Sequence, residues 1–268
     1  MNLIIGSTSQ LSHYFPKDYI RISSRDVDFN YLKENVWDNV YLTFGEMRLY
    51  DNSLDFLTPN YTYTLNIIDS LLENSNRIVV YTSGELWNKC IGRIDHTQEL
   101  NYFAGKCGYL PSKEKLMRGI LGLREVDEKY NKVIMIHPIY FSSVYRIYRD
   151  YFLFGKIFDS ILNLKKIEIG DTYSHRDIVH TKYVVEKSMS ATDDMMVGSG
   201  RLYFVNDFIR DLYEHFNMEY DEYVTENLSV KRKNNSEKLY YVNTDDHYSY
   251  ERLLKDSIDD INNFNFEK

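Results

Sequence analysis

Ile78-Val-Val-Tyr81-Thr82-Ser83-Gly84-Glu85, read together with Tyr109-Leu-Pro-Ser-Lys113 downstream, decides the fold. Ile78–Tyr81 is a short apolar run rich in β-branched residues, which predicts a buried strand. Ser83 then falls at the carboxyl end of that strand, the edge where open α/β sheets place their ligands. Tyr109 and Lys113 are spaced i, i+4, so on a helix both side chains lie on one face. An ammonium beside a phenol favours the phenolate and lowers the tyrosine pKa towards neutrality. Such a tyrosine can exchange a proton with a carbinol or carbonyl oxygen. Tyr-x-x-x-Lys alone also describes an exposed helix face with an aromatic and a cation. The strand ending in Thr-Ser ahead of it favours a site.

Composition narrows the class. The 268 residues suffice for one large α/β domain or a domain with a smaller appendage, and 43% apolar residues can build a sizeable core. A net charge of −8 argues against a nucleic-acid-coating protein. Cys90 and Cys107 are too few for a disulfide framework, so a reducing cytoplasm is the expected location. The chain runs directly into Asn2-Leu-Ile-Ile-Gly6 without a basic leader. No apolar run approaches the roughly 18 residues a membrane span needs. His137 and His180 lack nearby metal-ligand spacing, and no zinc site is expected.

Leu3-Ile4-Ile5 reads as a first strand, followed by Gly6-Ser-Thr-Ser9-Gln10-Leu11-Ser12. A dinucleotide fold uses glycine at such a turn so that backbone can approach a pyrophosphate. A plain strand–turn–helix is the alternative. Pro16 limits the helix expected from Ser9. Tyr19–Ile22 reads as a second strand closed by Ser24-Arg25, a pair that suits a 2′-phosphate, while Asp26 leaves the unphosphorylated dinucleotide open. Asn39–Thr43 is a third strand ending near Gly45, and 58–72 reads as a helix with Leu65, Ile68, Leu71 and Leu72 towards the core.

With these pieces in order, the chain resembles the extended short-chain dehydrogenase/reductase family, in its nucleotide-sugar epimerase/dehydratase branch. Ser83-Gly-Glu-Leu-Trp-Asn88 is similar to the T-S-E-L-Y-G and T-D-E-V-Y-G signatures of nucleotide-sugar dehydratases and decarboxylases. The resemblance implies a Rossmann-type doubly wound parallel sheet, mainly residues 1–165, with a small C-terminal α/β substrate-binding lobe, mainly 166–268, the two interleaved in one compact unit. It implies NADP, favoured by Ser24-Arg25, or NAD, held by Gly6, Ser9, Gln10, Leu11, Ser24, Arg25, Thr43, Gly45, Tyr109, Lys113 and His137. Tyr109 takes the acid/base role, with Lys113 lowering its pKa and holding the nicotinamide ribose. Ser83 binds the reacting oxygen. Glu85 is either an acid/base at C5/C6 or a solvated loop carboxylate. The chain departs from the family pattern in having Ser9 and Ser12 in the G-x-x-G-x-x-G loop. It also has Thr62 where an asparagine commonly lies nearby.

The second half supplies candidate substrate contacts. Lys132–Pro138 is a strand that places His137 at its end, packed or flanking nicotinamide. The aromatic and basic stretch from Tyr145 to Ile157 offers Arg146, Arg149 and Lys156 to a diphosphate, or is a packing helix. Ser174-His-Arg176-Asp177-Ile-Val-His180 resembles the R-D-F/W-x-H/Y element of GDP-mannose 4,6-dehydratases. There the arginine contacts diphosphate and the aspartate fixes a loop; an Arg–Asp ion pair is the alternative. Val197-Gly-Ser-Gly200 reads as structural, Val205–Phe216 and Tyr248–Asn262 as amphipathic helices, and Lys231 and Arg232 as an exposed basic pair. The resemblance, which extends to sugar 4-ketoreductases, implies an epimerase, dehydratase or 4-ketoreductase acting by hydride transfer at C4 of a nucleotide-diphosphate sugar, in a homodimer by analogy, without nucleic-acid or membrane partners. A degenerate, non-catalytic nucleotide-sugar-binding protein with a regulatory or scaffolding role is the competing reading.

Overall fold

Unbroken apolar runs, in place of alternation, mark strands covered on both faces. Leu3–Ile5, Val40–Leu42, Ile78–Tyr81 and Val133–Ile136 behave in this way and are buried throughout. In the computed structural model, residues 1–47, 54–100, 108–146, 152–170, 172–227 and 239–264 are described. The runs lie in one sheet made of β1 (Asn2–Ile5), β2 (Ile20–Ile22), β3 (Trp37–Leu42), β4 (Ser75–Tyr81), β5 (Val133–Pro138) and β6 (Met195–Val197). Its order is β6-β5-β4-β3-β1-β2 and every neighbouring pair is parallel. The expected Rossmann-type α/β architecture is present.

Register brings the carboxyl ends level. Ile22, Ile5, Leu42, Val80 and Met135 form one row across five strands. Beyond it the Thr43 amide bonds the Ile5 carbonyl (2.9 Å) and the Thr82 amide bonds the Ile136 carbonyl (2.9 Å). Gly6, Thr43, Ser83 and His137, far apart in sequence, therefore share one sheet edge.

The helices follow local signals. Asp28 caps α1 (Phe29–Glu34) by accepting from the Asn30 and Tyr31 amides. A π-turn at Thr58–Thr62 leads into α2 (Tyr63–Leu71), and α3 (Tyr109–Val126) opens at the predicted tyrosine. The helix expected from Ser9 is instead a single 3-10 turn, Leu11–Tyr14. Pro16 stops it, and the Arg21 guanidinium reaches the carbonyls of Ser12, Phe15, Pro16, Lys17 and Tyr19, which a longer helix would have used itself.

The chain divides into two compact units. One comprises 1–87, 96–138 and 185–197; the other comprises 88–95, 139–184 and 198–268. In the second unit, Tyr140–Ser142 pairs with Ile178–His180, Ile167–Ile169 with Val224–Glu226, and Gly92–Ile94 with Tyr240–Val242, all parallel. Its helices include α4 (Leu153–Asn163), α6 (Val205–His215) and α7 (Tyr250–Phe264), while α5 (Thr181–Ser190) ends in the first unit. Val205, Phe208, Ile209, Leu212 and Tyr213 are buried as their spacing predicts, with Phe208 edge-on to Phe154. On α7 the buried face carries Asp256 and Ser257 beside Leu253 and Ile261. Asp256 is buried because Tyr248 (2.7 Å) and Lys182 (3.2 Å) both donate to it.

One ion pair ties α3 to the sheet. Asp194 accepts from both Arg124 Nη atoms, each at 2.7 Å, and from the Met135 amide at 2.7 Å. Burial raises its pKa, but the Arg124 and Met135 hydrogen bonds outweigh burial and hold it below the usual 3.8. A depressed carboxylate contributes stability that is complete above its unfolded value and is lost as pH falls through its folded one. Asp194→Ala should therefore destabilise the fold by about 3 kcal/mol at pH 7. In urea denaturation the gap to wild type should close as the pH is taken below about 4; a gap that persists unchanged at pH 3 contradicts this account.

Candidate active site

Lys113 is the centre of the first unit's carboxyl edge. It lies on the inner face of α3 and is 5% exposed. Its Nζ donates to the carbonyl of Tyr81, the last residue of β4, at 2.8 Å. It also sits 5.9 Å from the centroid of the Tyr109 ring, one turn earlier on α3. Burial pushes its pKa down to about 8. Neutral pH still leaves it charged.

The turn after β4 carries the other sequence candidates. Ser83 is buried, and its Oγ accepts the Glu85 amide at 3.2 Å. Glu85 is half-buried in the Gly84–Trp87 turn, against which α3 packs. Thr82 hydrogen-bonds His137 Nδ1. His137 is fully buried at the end of β5, edge-on to Trp87 and stacked with His96, and burial lowers its pKa to about 3. The imidazole is thus neutral, and among the described residues its buried Nε2 has no hydrogen-bond partner.

Gly6 has φ +114°, and a Cβ there would lie 2.7 Å from Thr43 Oγ1, so only glycine fits the approach of the first loop to β3. Thr43 Oγ1 donates towards the Ile5 and Gly6 carbonyls. Ser9 Oγ accepts the Ser12 amide at 3.2 Å, and Gln10 and Leu11 between them are buried. Ser24 gives its carbonyl to the Tyr63 hydroxyl (2.8 Å), and Arg25 is exposed. The bulky Phe44 turns its ring to Tyr63, with centroids 5.8 Å apart.

Asn60 is the residue that sequence reading missed. The asparagine sought at Thr62 lies two positions earlier, on the π-turn, and is buried. Its Nδ2 donates to Ser112 Oγ (3.0 Å) and to the Glu46 carbonyl (3.0 Å), while its Oδ1 accepts the Glu46 amide (2.8 Å). Ser112 in turn donates to the Tyr109 carbonyl at 2.6 Å. One amide thus holds the turn after β3 against the first turn of α3. A Cβ on Gly45 would lie 2.8 Å from Asn60 Oδ1 and 3.5 Å from Lys113 Nζ. Pro59, which marks the helix start, was the available signal that Asn60 lies in a first turn.

Arg176, Lys156 and Arg146 belong to the second unit. Arg176 lies on a strand pair with Tyr203–Phe204 and donates to the His175 carbonyl; Lys156 donates to the Glu168 carbonyl at 3.2 Å. Asp177 is buried and accepts from the Ser199 amide (2.5 Å), the Ser199 hydroxyl (2.7 Å) and the Val242 amide (2.9 Å), so it fixes the Gly198–Gly200 turn. The side chain of Arg146, together with Arg149, Lys231 and Arg232, falls outside the described residues.

No family model matches the chain, and no curated protein matches it in sequence. Solved structures do match it over nearly its whole length. RMD from Pseudomonas aeruginosa, complexed with NADPH, is 14% identical over 97% of this chain and 99% of its own, with a TM-score of 0.68. The UDP-glucuronic acid 4-epimerase from Bacillus cereus, in complex with NAD, is 11% identical over 100% and 98%, with a TM-score of 0.73. The dTDP-glucose 4,6-dehydratase from Bacillus anthracis, in complex with NAD, is 14% identical over 100% and 98%, also with a TM-score of 0.73. The chain shares their fold. It is the fold that the Ser83/Tyr109/Lys113 pattern implied.

Burying the Lys113 ammonium carries a measurable penalty. A lysine that titrates near 8 instead of 10.5 destabilises the charged fold by about 3 kcal/mol, and its hydrogen bond to Tyr81 returns about 1. Between those two pH values the unfolded chain binds the extra proton, so stability rises with pH. Lys113→Met is expected to stabilise the fold by about 2 kcal/mol at pH 7, a gain that shrinks from pH 8 to 10 in denaturant titrations. Destabilisation at pH 7 would contradict a buried, charged Lys113.

Proposed function

We propose that the chain is an NAD(P)-dependent nucleotide-sugar-modifying enzyme of the epimerase, dehydratase or 4-ketoreductase class, acting by hydride transfer at sugar C4. The observation carrying this reading is the buried Lys113 ammonium, one turn from Tyr109 and against the end of β4 beside Ser83. The proteins that share the fold include a UDP-glucuronic acid 4-epimerase and a dTDP-glucose 4,6-dehydratase, which agrees with that class.

A nicotinamide dinucleotide fits the edge on two counts: the Cβ-free approach at Gly6 and the Lys113 ammonium facing the Gly45 turn. Gly6, Ser9, Gln10, Leu11, Thr43 and Gly45 would line it, with Ser24 and Arg25 towards the adenosine ribose. When bound, it supplies the hydride acceptor and donor. Tyr109 exchanges the proton of the sugar 4-oxygen, and Lys113 favours its phenolate by charge. Ser83 donates a second hydrogen bond to the same oxygen, where negative charge develops. Glu85 serves as acid or base at the neighbouring carbon. Arg176, with Arg146, Arg149 and Lys156, pairs with the substrate's diphosphate.

The 3-10 turn after Gly6 favours the competing reading of a non-catalytic nucleotide-sugar-binding protein. A phosphate site at a helix amino terminus needs the aligned amides of a longer helix, and Leu11–Tyr14 provides one turn. Fluorescence titration with NADPH and NADH separates the readings, since binding of neither supports the non-catalytic one. Tyr109→Phe should keep cofactor affinity and lower turnover of an accepted nucleotide sugar by about 10²–10⁴-fold. Arg25→Ala should weaken NADPH by about tenfold and leave NADH unchanged if Arg25 reads a 2′-phosphate. Equal loss for both cofactors removes that role.

A further inference from the structure

The amino edge of the same sheet, at the opposite end of β4 from Ser83, holds a cavity of about 450 Å³. Strand register explains its chemistry. Asn39 of β3 pairs with Arg77 of β4, and Arg77 and Lys132 each stand one position before the paired Ile78 and Val133. Neighbouring strands are about 4.8 Å apart, so an amide, a guanidinium and an ammonium stand in a row. Tyr41 and Ile134, two residues further along their strands, line the same face, and Asn76 and Asn131 stand at the rim.

Both cations are held by neutral groups. Arg77 Nη1 donates to the Ala191 carbonyl (2.5 Å), and Nη2 donates to the Tyr41 hydroxyl (2.7 Å) and the Met189 carbonyl (2.9 Å). Among the described residues the buried Arg77 Nε has no partner. Lys132 Nζ donates to the Leu72 (2.8 Å) and Ser75 (2.9 Å) carbonyls. Among the described residues neither has a carboxylate partner. Asp38, which accepts from Asn76 at the rim, is engaged by the amino-terminal ammonium at 2.7 Å. Asp194 is engaged by Arg124. Two adjacent cations repel one another, and tetrahedral oxyanions are the ligands that such a row of Arg, Lys and amide donors accepts.

We propose that this cavity is a second binding site, for the phosphate group of a small phosphorylated metabolite. Arg77 fixes the charge at the floor, Lys132 offers its remaining N–H from the side, and Asn131 and Asn76 donate from the rim. The site lies about 20 Å along β4 from Ser83 and is independent of the chemistry at the carboxyl edge. A cavity of this volume accepts a ligand of several heavy atoms beyond the phosphate.

The test uses the full chain and follows melting temperature and calorimetric affinity with inorganic phosphate and with glycerol 3-phosphate, against sodium chloride at matched ionic strength. Saturable stabilisation beyond that of chloride is expected for wild type. Lys132→Gln should weaken phosphate binding about tenfold. Asn131→Asp, at an exposed rim position, should weaken it similarly while raising the melting temperature of the phosphate-free protein, because it supplies the missing negative charge. Lys115→Gln, an exposed substitution on α3 outside the cavity lining, should leave phosphate binding intact. Tighter binding of glycerol 3-phosphate than of phosphate identifies an organic ester as the occupant, and the reverse identifies free phosphate. A response no larger than chloride's, one unchanged in both Lys132→Gln and Asn131→Asp, or one abolished by Lys115→Gln overturns the proposal.

Discussion

A buried ammonium without a carboxylate is the constraint to which the carboxyl edge of the sheet is fitted. Among the described residues Lys113 pairs with no acidic group; it has the Tyr81 carbonyl and the Tyr109 ring face. Desolvating a lysine against a carbonyl is unfavourable, so this arrangement persists only where surrounding packing enforces it. That packing is visible. Asn60 joins the Glu46 turn to Ser112, Ser112 bonds the Tyr109 carbonyl, and the Arg124–Asp194 pair fastens the far end of α3 to β5. The proposed role of Lys113 rests on this enforced, perturbed ammonium.

The same sheet carries unlike chemistry at its two ends. At the carboxyl edge the described loops bring together a glycine turn, buried hydroxyls, a neutral imidazole and the Lys113 ammonium. At the amino edge, Arg77 and Lys132 are satisfied by carbonyls and a phenol. β4 contributes to both, with Arg77 near its start and Tyr81 at its end. Between them run Ile78, Val79 and Val80, all buried.

Much of this was legible in sequence because it is local. The apolar runs gave the strands, Pro16 and Pro59 gave helix limits, and an i, i+4 spacing placed Tyr109 and Lys113 on one helix face. What was hidden is non-local. Asn60 sits two residues from where a motif search looks, and only folding shows it meeting Ser112. The collapse of the first helix to one turn depends on Arg21, which reads as an ordinary strand residue. Asp256 is polar on a predicted apolar face because Tyr248 and Lys182 arrive from elsewhere in the chain. Arg77 and Lys132 look like solvated strand ends until parallel register sets them side by side.

The charge and environment of Lys113 can be observed directly by NMR of protein labelled with ¹³C at lysine Cε. One lysine should titrate near pH 8, well below the free side chain's 10.5, and its signal should be absent from Lys113→Arg. A full set of lysines titrating near 10.5, or a shifted signal that survives Lys113→Arg, contradicts this.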